Sequence, residues 1–330
     1  SPSFSEGHGF KDSPFKLAIA PVTENGKVYY TLDGSEPTVK SDVYSAPLDV
    51  QATTIIRAAE KYRDGRWSST ATASYLFADD ILDFNSTPEG YPAEWGPYSD
   101  IAGTAKADYG MDPLMTEDPG LREKMKEGLR QLPVVSIVTD KDNLFNRSTD
   151  PDKGGIYIYT GSPVGDHTGR GWERPVSLEI FDGDGLDVTV DCAMKIHGGH
   201  SRLAEKTPKH AFRLKFKSAY GPPKLKAEVF GPDGPGKFNT LTLRTFFGNS
   251  WQHWDGGNRS RAQYVRDMWV RSASARLGMP HSRGRHVNLF LNGMYWGMYC
   301  LSERIDEYWC KTHFGGEEAD YDVLKVDEMQ

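Results

Sequence analysis

Apolar and polar residues alternate in short runs through much of this chain, and a period of two marks a strand with one buried face. Residues 15–19 (FKLAI) and 28–32 (VYYTL) alternate in this way and are rich in β-forming residues. Residues 53–59 and 70–77 continue the pattern. Asp33-Gly34-Ser35-Glu36-Pro37 is a cluster of turn formers between them. Several strands within about 75 residues predict a small β-sandwich over residues 1–78.

The pattern breaks over residues 79–130. Pro88, Gly90, Pro92, Gly96, Pro97 and Gly110 mark an irregular connector. Its one helical stretch, within 114–132, opens at Asp118-Pro119. The carboxylates of 108–112 lack the EF-hand spacing and read as a structured turn. From Pro133 the strand signal returns at 134–138, 155–158, 172–181 and 188–190, with Gly183-Asp184-Gly185 as a turn. Residues 238–246 read as a further strand. Residues 260–277 read as a helix, because Val265, Met268, Trp269, Ala273 and Leu277 recur at helical spacing and Gly278 with Pro280 ends the run. Asn292-Gly293, flanked by 285–291 and 294–301, is the strongest hairpin signal in the chain. Pairing Leu291 with Met294 places Val287, Leu289, Trp296 and Met298 on one face. The expected fold class is β-rich α+β, with a second domain over 131–330.

Residues 194–202 and 209–216 read as strand, glycine turn and strand. Gly198 and Gly199 let a backbone approach a ligand closely, and N–H groups of such a turn form an anion-binding concavity. Ser201 adds a small hydroxyl. Alternation places Ala211, Arg213, Lys215 and Lys217 on one face, and Phe212, Leu214 and Phe216 on the other. One face packs while the other offers cations, and Arg202 with Lys209 brackets the turn. This is the chemistry of a phosphate grip, although the turn matches neither the P-loop nor the dinucleotide fingerprint. The plain alternative is an amphipathic hairpin with a solvated basic face. His197 and His200, separated by two glycines, make a poor metal pair without further donors.

Composition narrows this picture. A chain of 330 residues with 38% hydrophobic and 26% charged residues fits a soluble protein of two domains. The net charge of −7 excludes a general nucleic-acid binder, which needs a basic surface. Aromatics at 12% suit sheet cores or sugar-facing surfaces. No apolar run is long enough to span a membrane. Three cysteines allow at most one disulfide and no spaced zinc site; Cys192 and Cys300 lie in apolar strand patterns and are expected as buried thiols. The start at Ser1-Pro2-Ser3-Phe4 has no Met and no signal peptide, as expected of a processed or excised piece.

Residues 197–202 (HGGHSR) with 208–214 (PKHAFRL) resemble the signature of the CotH kinase family, the spore-coat-protein-H-like kinases. The resemblance continues through 241–244 (LTLR), 264–267 (YVRD), 291–297 (LNGMYWG) and Glu303-Arg304, fades near 322–325, and covers roughly 131–330. It implies a protein-kinase-like small lobe, ATP and Mg²⁺ as cofactors, and phosphate transfer to Ser or Thr of a protein partner. The candidate nucleotide-binding residues are Gly198, Gly199, Ser201, Arg202, Lys209, Arg213, Lys215, Arg244, Asp267 and Glu303. Asp267, the only carboxylate in the predicted helix, stands where a kinase small lobe holds an acid against its phosphate-binding lysine; an ion pair with Arg271 is the alternative. Glu303 falls at the hinge beside the adenine, or else at a helix N-terminus. The metal-binding and catalytic residues are expected beyond Gln330, so the CotH domain is read as incomplete.

Residues 29–38 (YYTLDGSEPT), with Val43-Tyr44 and Pro47-Leu48, resemble the chitobiase/β-hexosaminidase C-terminal-type module. That is an immunoglobulin-like accessory domain of secreted enzymes and surface proteins. The two resemblances together imply an extracellular or cell-surface location, with glycan contact by the first module an open role beside that of a spacer. Two function classes therefore compete: a CotH-type protein kinase, and a non-catalytic adhesion or carbohydrate-binding protein with a degenerate kinase-like domain. An accessory fragment of a glycoside hydrolase ranks last, because no carboxylate pair can be argued to span the catalytic distance.

Overall fold

The computed structural model describes residues 1–96, 104–158, 172–202, 204, 206–251 and 253–324. Nine short strands open the chain: β1 (Ser3–Phe4), β2 (Gly9–Phe10), β3 (Phe15–Leu17), β4 (Ile19–Ala20), β5 (Lys27–Thr31), β6 (Asp42–Val43), β7 (Leu48–Val50), β8 (Thr54–Lys61) and β9 (Ala71–Leu76). They form a five-stranded sheet in the order β2-β9-β8-β5-β6 and two ribbons, β1-β4 and β3-β7. Leu17, Ile19 and Val50 of the ribbons pack against Val28, Ile56, Ala58, Ala73 and Tyr75 of the sheet, so the module has two layers around one core.

The connector carries α1 (Ala78–Asp83), the pair β10 (Glu94–Trp95) and β11 (Ala105–Lys106), α2 (Pro113–Thr116) and α3 (Pro119–Gln131). Three helices therefore stand in a connector where the sequence predicts one, and α2 and α3 share a start signal. Both start at an Asp-Pro pair: Asp112 accepts from Leu114 N and Asp118 accepts from Leu121 N, with proline fixing the first helical position.

The rest of the chain is built on β12 (Val134–Val138), α4 (Lys141–Phe145), β13 (Arg174–Phe181), β14 (Asp187–His197), β15 (Ala211–Lys215), β16 (Leu225–Lys226), β17 (Lys237–Phe238), β18 (Thr240–Arg244), α5 (Gly256–Arg259), α6 (Arg266–Arg276), β19 (Gly284–Leu291), β20 (Met294–Glu303) and α7 (Glu307–Phe314). Seven strands close into a barrel in the order β12-β13-β14-β15-β18-β20-β19, sealed by parallel pairing of β12 with β19. Inward residues such as Ile137, Leu178, Met194, Phe212, Leu243, Leu289 and Trp296 fill it. Trp95 and Tyr109 of the connector join that core, with Trp95 Nε1 donating to Tyr109 Oη at 3.0 Å.

Three expectations change. Residues 155–158 are a buried turn rather than a strand: a Cβ on Gly155 would run into the backbone of Leu144, Phe145 and Asn146. The helix predicted from 260 begins at Arg266; Gly278 does end it, in the left-handed region at φ 68°. The Asn292-Gly293 hairpin forms with Leu291 opposite Met294, both turn residues having positive φ. A bulge between Leu289 and Phe290 then shifts the register, so that Leu289 faces Gly297 and Val287 faces Tyr299. Tyr299, not Met298, points into the barrel.

The outer wall of the barrel has two different faces. The β12, β13 and β19 side is covered by the first module and connector, where Leu76, Ile81, Leu82, Leu129, Val134, Phe181 and Phe290 form a separate core. At its centre lies Glu179, fully buried, accepting from Ser74 N and Oγ and sitting 2.6 Å from His8 Nδ1. Burial by itself lowers the His8 pKa, but the hydrogen bond and charge of Glu179, with Asp187, outweigh it and the pKa is raised. The turn of the first module locks into the hairpin tip of the barrel. Gly34, at φ 86°, leaves no room for a Cβ against Thr139 O (2.5 Å) and Asn292 Oδ1 (2.9 Å). Asn292 in turn bonds both the N–H and the carbonyl of Thr139. The β14, β15, β18 and β20 side carries the cations.

Candidate anion-binding cleft

Strand pairing alone assembles the site. Lys195 of β14 stands opposite Arg213 of β15, Arg213 opposite Thr242 of β18, and Thr242 opposite Ser302 of β20. These residues share the outward face, two positions apart from His197, Lys215 and Arg244. Two hollows run along it, of about 270 and 500 Å³, and both are lined by His197 and Arg244. Gly198, Ser201 and Asp267 line the first; Arg213, Arg271, Ser302, Glu303, Arg304 and Asp306 line the second.

Cations crowd this face. Lys195 is buried, and its pKa falls to about 8, first through burial and then through the charge of Lys215, with Glu173 opposing. Arg213 donates to His197 Nδ1 at 2.9 Å, and burial with neighbouring Arg304 and Arg202 lowers it to about 10. The carboxylate that organises the lysines is Glu173, with no exposed side-chain surface, which accepts from Lys215 Nζ at 2.5 Å and Lys217 Nζ at 2.8 Å. Burial raises the Glu173 pKa and the two lysines outweigh it, leaving it lowered.

Sequence reasoning missed Lys195 and Glu173. Lys195 was legible, since alternation puts it on the face of His197. Glu173 was not: it immediately precedes β13, more than 40 positions before its partners, and only the closed barrel brings them together. Among the described residues Asp267 meets no lysine. Its Oδ2 accepts from Arg244 Nη1 and Arg271 Nε, both at 3.0 Å, so the helix acid holds arginines.

The other candidates separate into those at the cleft and those away from it. Gly198 has φ 119° and a Cβ there would collide with Ser201 Oγ, whereas Gly199 faces open space. Arg202 turns back to donate to the carbonyls of Gly198 and Ile196. Lys209 lines neither hollow: its ammonium lies 4.3 Å from the centre of the Trp296 ring and 5.9 Å from that of Trp95. Burial lowers its pKa to about 8 against the opposing charge of Asp108. Glu303, the last residue of β20, accepts from Arg283 N at 2.7 Å and lies 2.8 Å from His313 Nε2, so both its oxygens are engaged. Asp306 caps α7 through Trp309 N, and burial raises its pKa. The side chain of His200 falls outside the described residues.

A divalent metal finds no ready seat here. Among the described residues no three His, Cys, Asp or Glu are placed together, and Asp267, Glu303 and Asp306 of the cleft are held by nearby donors. Cys192 and Cys300 are buried free thiols. No described helix is long and apolar enough to cross a membrane.

Residues 194–330 match the family model described as CotH kinase protein, and residues 7–72 match that described as chitobiase/beta-hexosaminidase C-terminal domain. No curated protein matches the chain. The glycine turn, Arg213, Arg244, α6 and the Asn292 hairpin all lie within the first match, and the Gly34 turn lies within the second. The chain thus carries a chitobiase/β-hexosaminidase C-terminal domain followed by a CotH kinase domain.

Proposed function

We propose that this chain grips ATP for a CotH-type protein Ser/Thr kinase acting on secreted or surface proteins, with the phosphates on the outer face of β14, β15, β18 and β20. One observation carries the reading. A chain of net charge −7 gathers Arg213, Arg244, Arg271 and Arg304 around one hollow, with Lys195 and Lys215 beside them on the same face of the sheet. Burial first and the neighbouring cations second lower the pKa of Lys195, and a bound polyphosphate offsets the charge repulsion. On this reading β14 to β20 serve as the kinase-like small lobe and residues 1–78 as an immunoglobulin-like sandwich, with 79–130 as linker and 131–330 as the CotH region. The described residues do not make a magnesium site, so the roles assigned here concern phosphate charge alone.

The test is titration with a fluorescent ATP analogue, followed by transfer from γ-labelled and α-labelled ATP. Lys195→Met and Arg213→Ala are expected to weaken analogue binding about tenfold or more each, the scale of losing a charge-assisted contact. Transfer of γ-label to protein Ser or Thr supports the kinase; transfer of α-label assigns nucleotidyl transfer; binding by neither wild type nor variants overturns the reading.

A second reading, glycan contact, is favoured by a hollow of about 390 Å³ where the first module, the connector and the hairpin tip meet. Phe84, Tyr91, Tyr109 and Tyr295 line it, with Thr53 and Asp80 as polar groups. Sugar rings pack on aromatic faces while carboxylates take their hydroxyls. Oligosaccharide binding that is lost in Tyr91→Ala would support it.

A further inference from the structure

The helix α6 buries no residue. Its stretch is also where exposed apolar side chains concentrate: of the fifteen exposed large hydrophobic residues among those described, seven lie between positions 251 and 279. They include Trp251 (68% exposed), Val265 (62%), Trp269 (70%) and Leu277 (75%). Scattered apolar residues on a surface are ordinary, but a dense group of large ones marks a contact. The stretch carries five arginines against two aspartates, while the first 130 residues carry the net negative charge of the chain. Beneath the helix a groove of about 420 Å³ separates it from the barrel. Phe230, Met268 and Ala275 give the groove apolar floor and wall, and Arg271, Arg283 and Arg285 give it charge. Arg271 and Arg285 are paired with Asp267 and Asp182, whereas Arg283 offers a guanidinium without a side-chain partner among the described residues. The groove also shares Arg271 with the larger hollow of the anion-binding cleft.

From this juxtaposition we infer that α6 and the groove under it form the docking surface for the acceptor polypeptide, and that they select segments with acidic side chains and apolar anchors. The inference rests on the kinase reading for the word acceptor; the docking chemistry stands on the groove itself. The groove joins Arg283 to the apolar side chains of Phe230, Met268 and Ala275, and exposed Trp269 lies on α6 as well, a combination complementary to an acidic segment with apolar anchors. Arg271 lines both the groove and the cleft, so a segment held in the groove lies next to the phosphate-binding face. A second copy of this chain is the competing occupant. Continuity with the cleft favours the acceptor, because a dimer contact has no need to lead there.

The test uses the full chain and two fluorescein-labelled peptides. Each has one Ser and a Leu/Phe repeat, and the charged positions are Glu in one and Lys in the other. The acidic peptide is expected to bind at least tenfold tighter by anisotropy, with the preference shrinking as salt rises. Trp269→Ala and Arg283→Glu are each expected to weaken it about tenfold, the loss typical of an interface anchor. Binding of the fluorescent ATP analogue should be unchanged in both variants. Equal or tighter binding of the basic peptide overturns the inference. So does insensitivity to both substitutions, or a concentration-dependent dimer in light scattering that Trp269→Ala abolishes without touching peptide affinity. Acidic-peptide binding without nucleotide binding retains the docking surface and removes the kinase reading; the reverse result removes only the docking surface.

Discussion

Strand β8 and helix α6 each carry several large or small apolar residues among charged ones, and they meet opposite fates. β8 reads Thr-Ile-Ile-Arg-Ala-Ala-Glu-Lys, and its six interior residues are all buried. One face looks into the core of its own module, and the other is covered by the barrel and connector. Even its charged members are provided for. Arg57 pairs with Glu36 and donates to Gly34 O, while Glu60 accepts from the backbone of Val22 and Thr23. Helix α6 leans on the barrel through Met268, whose sulfur lies 3.7 Å from Cys300 Sγ, but it buries no residue and leaves Trp269 and Val270 exposed. A periodic pattern reports that a face will be buried; it does not say by what. Where the chain supplies no cover, the face becomes a prediction about another molecule.

The sharpest way to break this contrast is a pair of truncations. Ile56→Ala, at a fully buried position, is expected to cost about 2–5 kcal/mol in urea unfolding, from lost burial plus a cavity. Trp269→Ala, on the exposed helix, should stay within about 0.5 kcal/mol of wild type despite removing a larger side chain. A loss of several kcal/mol at Trp269 would mean that the helix is covered within the chain after all.

Next in size is Gly34→Ala at the lock between the modules. The left-handed φ and the close approach of Thr139 O predict a loss of about 1–3 kcal/mol, read as a lower denaturant midpoint. A neutral result would show that the turn and the hairpin tip move apart without cost.

Smaller effects follow from titration. Lys195 gains its proton below about pH 8, so affinity for the ATP analogue should be highest there and fall as pH rises through 8. Lys195→Met should flatten that profile as well as lower it. His8 behaves in the opposite region. Its folded pKa lies above the ordinary 6.5, so its contribution to stability is complete below 6.5 and is lost as pH rises through the raised value. Thermal unfolding across pH 6 to 9 should show this decline in wild type, and His8→Gln should remove it.

Much of the fold was legible because local chemistry decided it. The strand at 134–138 and the Asn292-Gly293 turn stand where pattern and turn residues put them, and Gly278 ends its helix as expected. What escaped depended on distant partners or on one irregular residue. The bulge at Leu289/Phe290 exchanged Met298 for Tyr299 in the core, and the buried backbone around Gly155 made a turn of an apolar run. At the site, Arg213 and Arg244 could be found from alternation and motif, and the structure brings them to the cleft. Glu173 became visible only once the barrel had closed, and Lys209 went to the aromatic end of the barrel, because a lysine stem and a tryptophan face attract wherever packing permits.

The parallel seam between β12 and β19 has a consequence for how the chain is made. Val134 pairs with Asn288, and Ile137 with Leu291, across roughly 150 positions of sequence. A ribosome releasing the chain from its N-terminus delivers β12 long before its second neighbour exists. Until residues 284–291 emerge, one edge of that apolar strand has no partner. Loops this long close slowly, so folding should be late, nearly all at once, and prone to sticking if synthesis stalls between the glycine turn and the final hairpin.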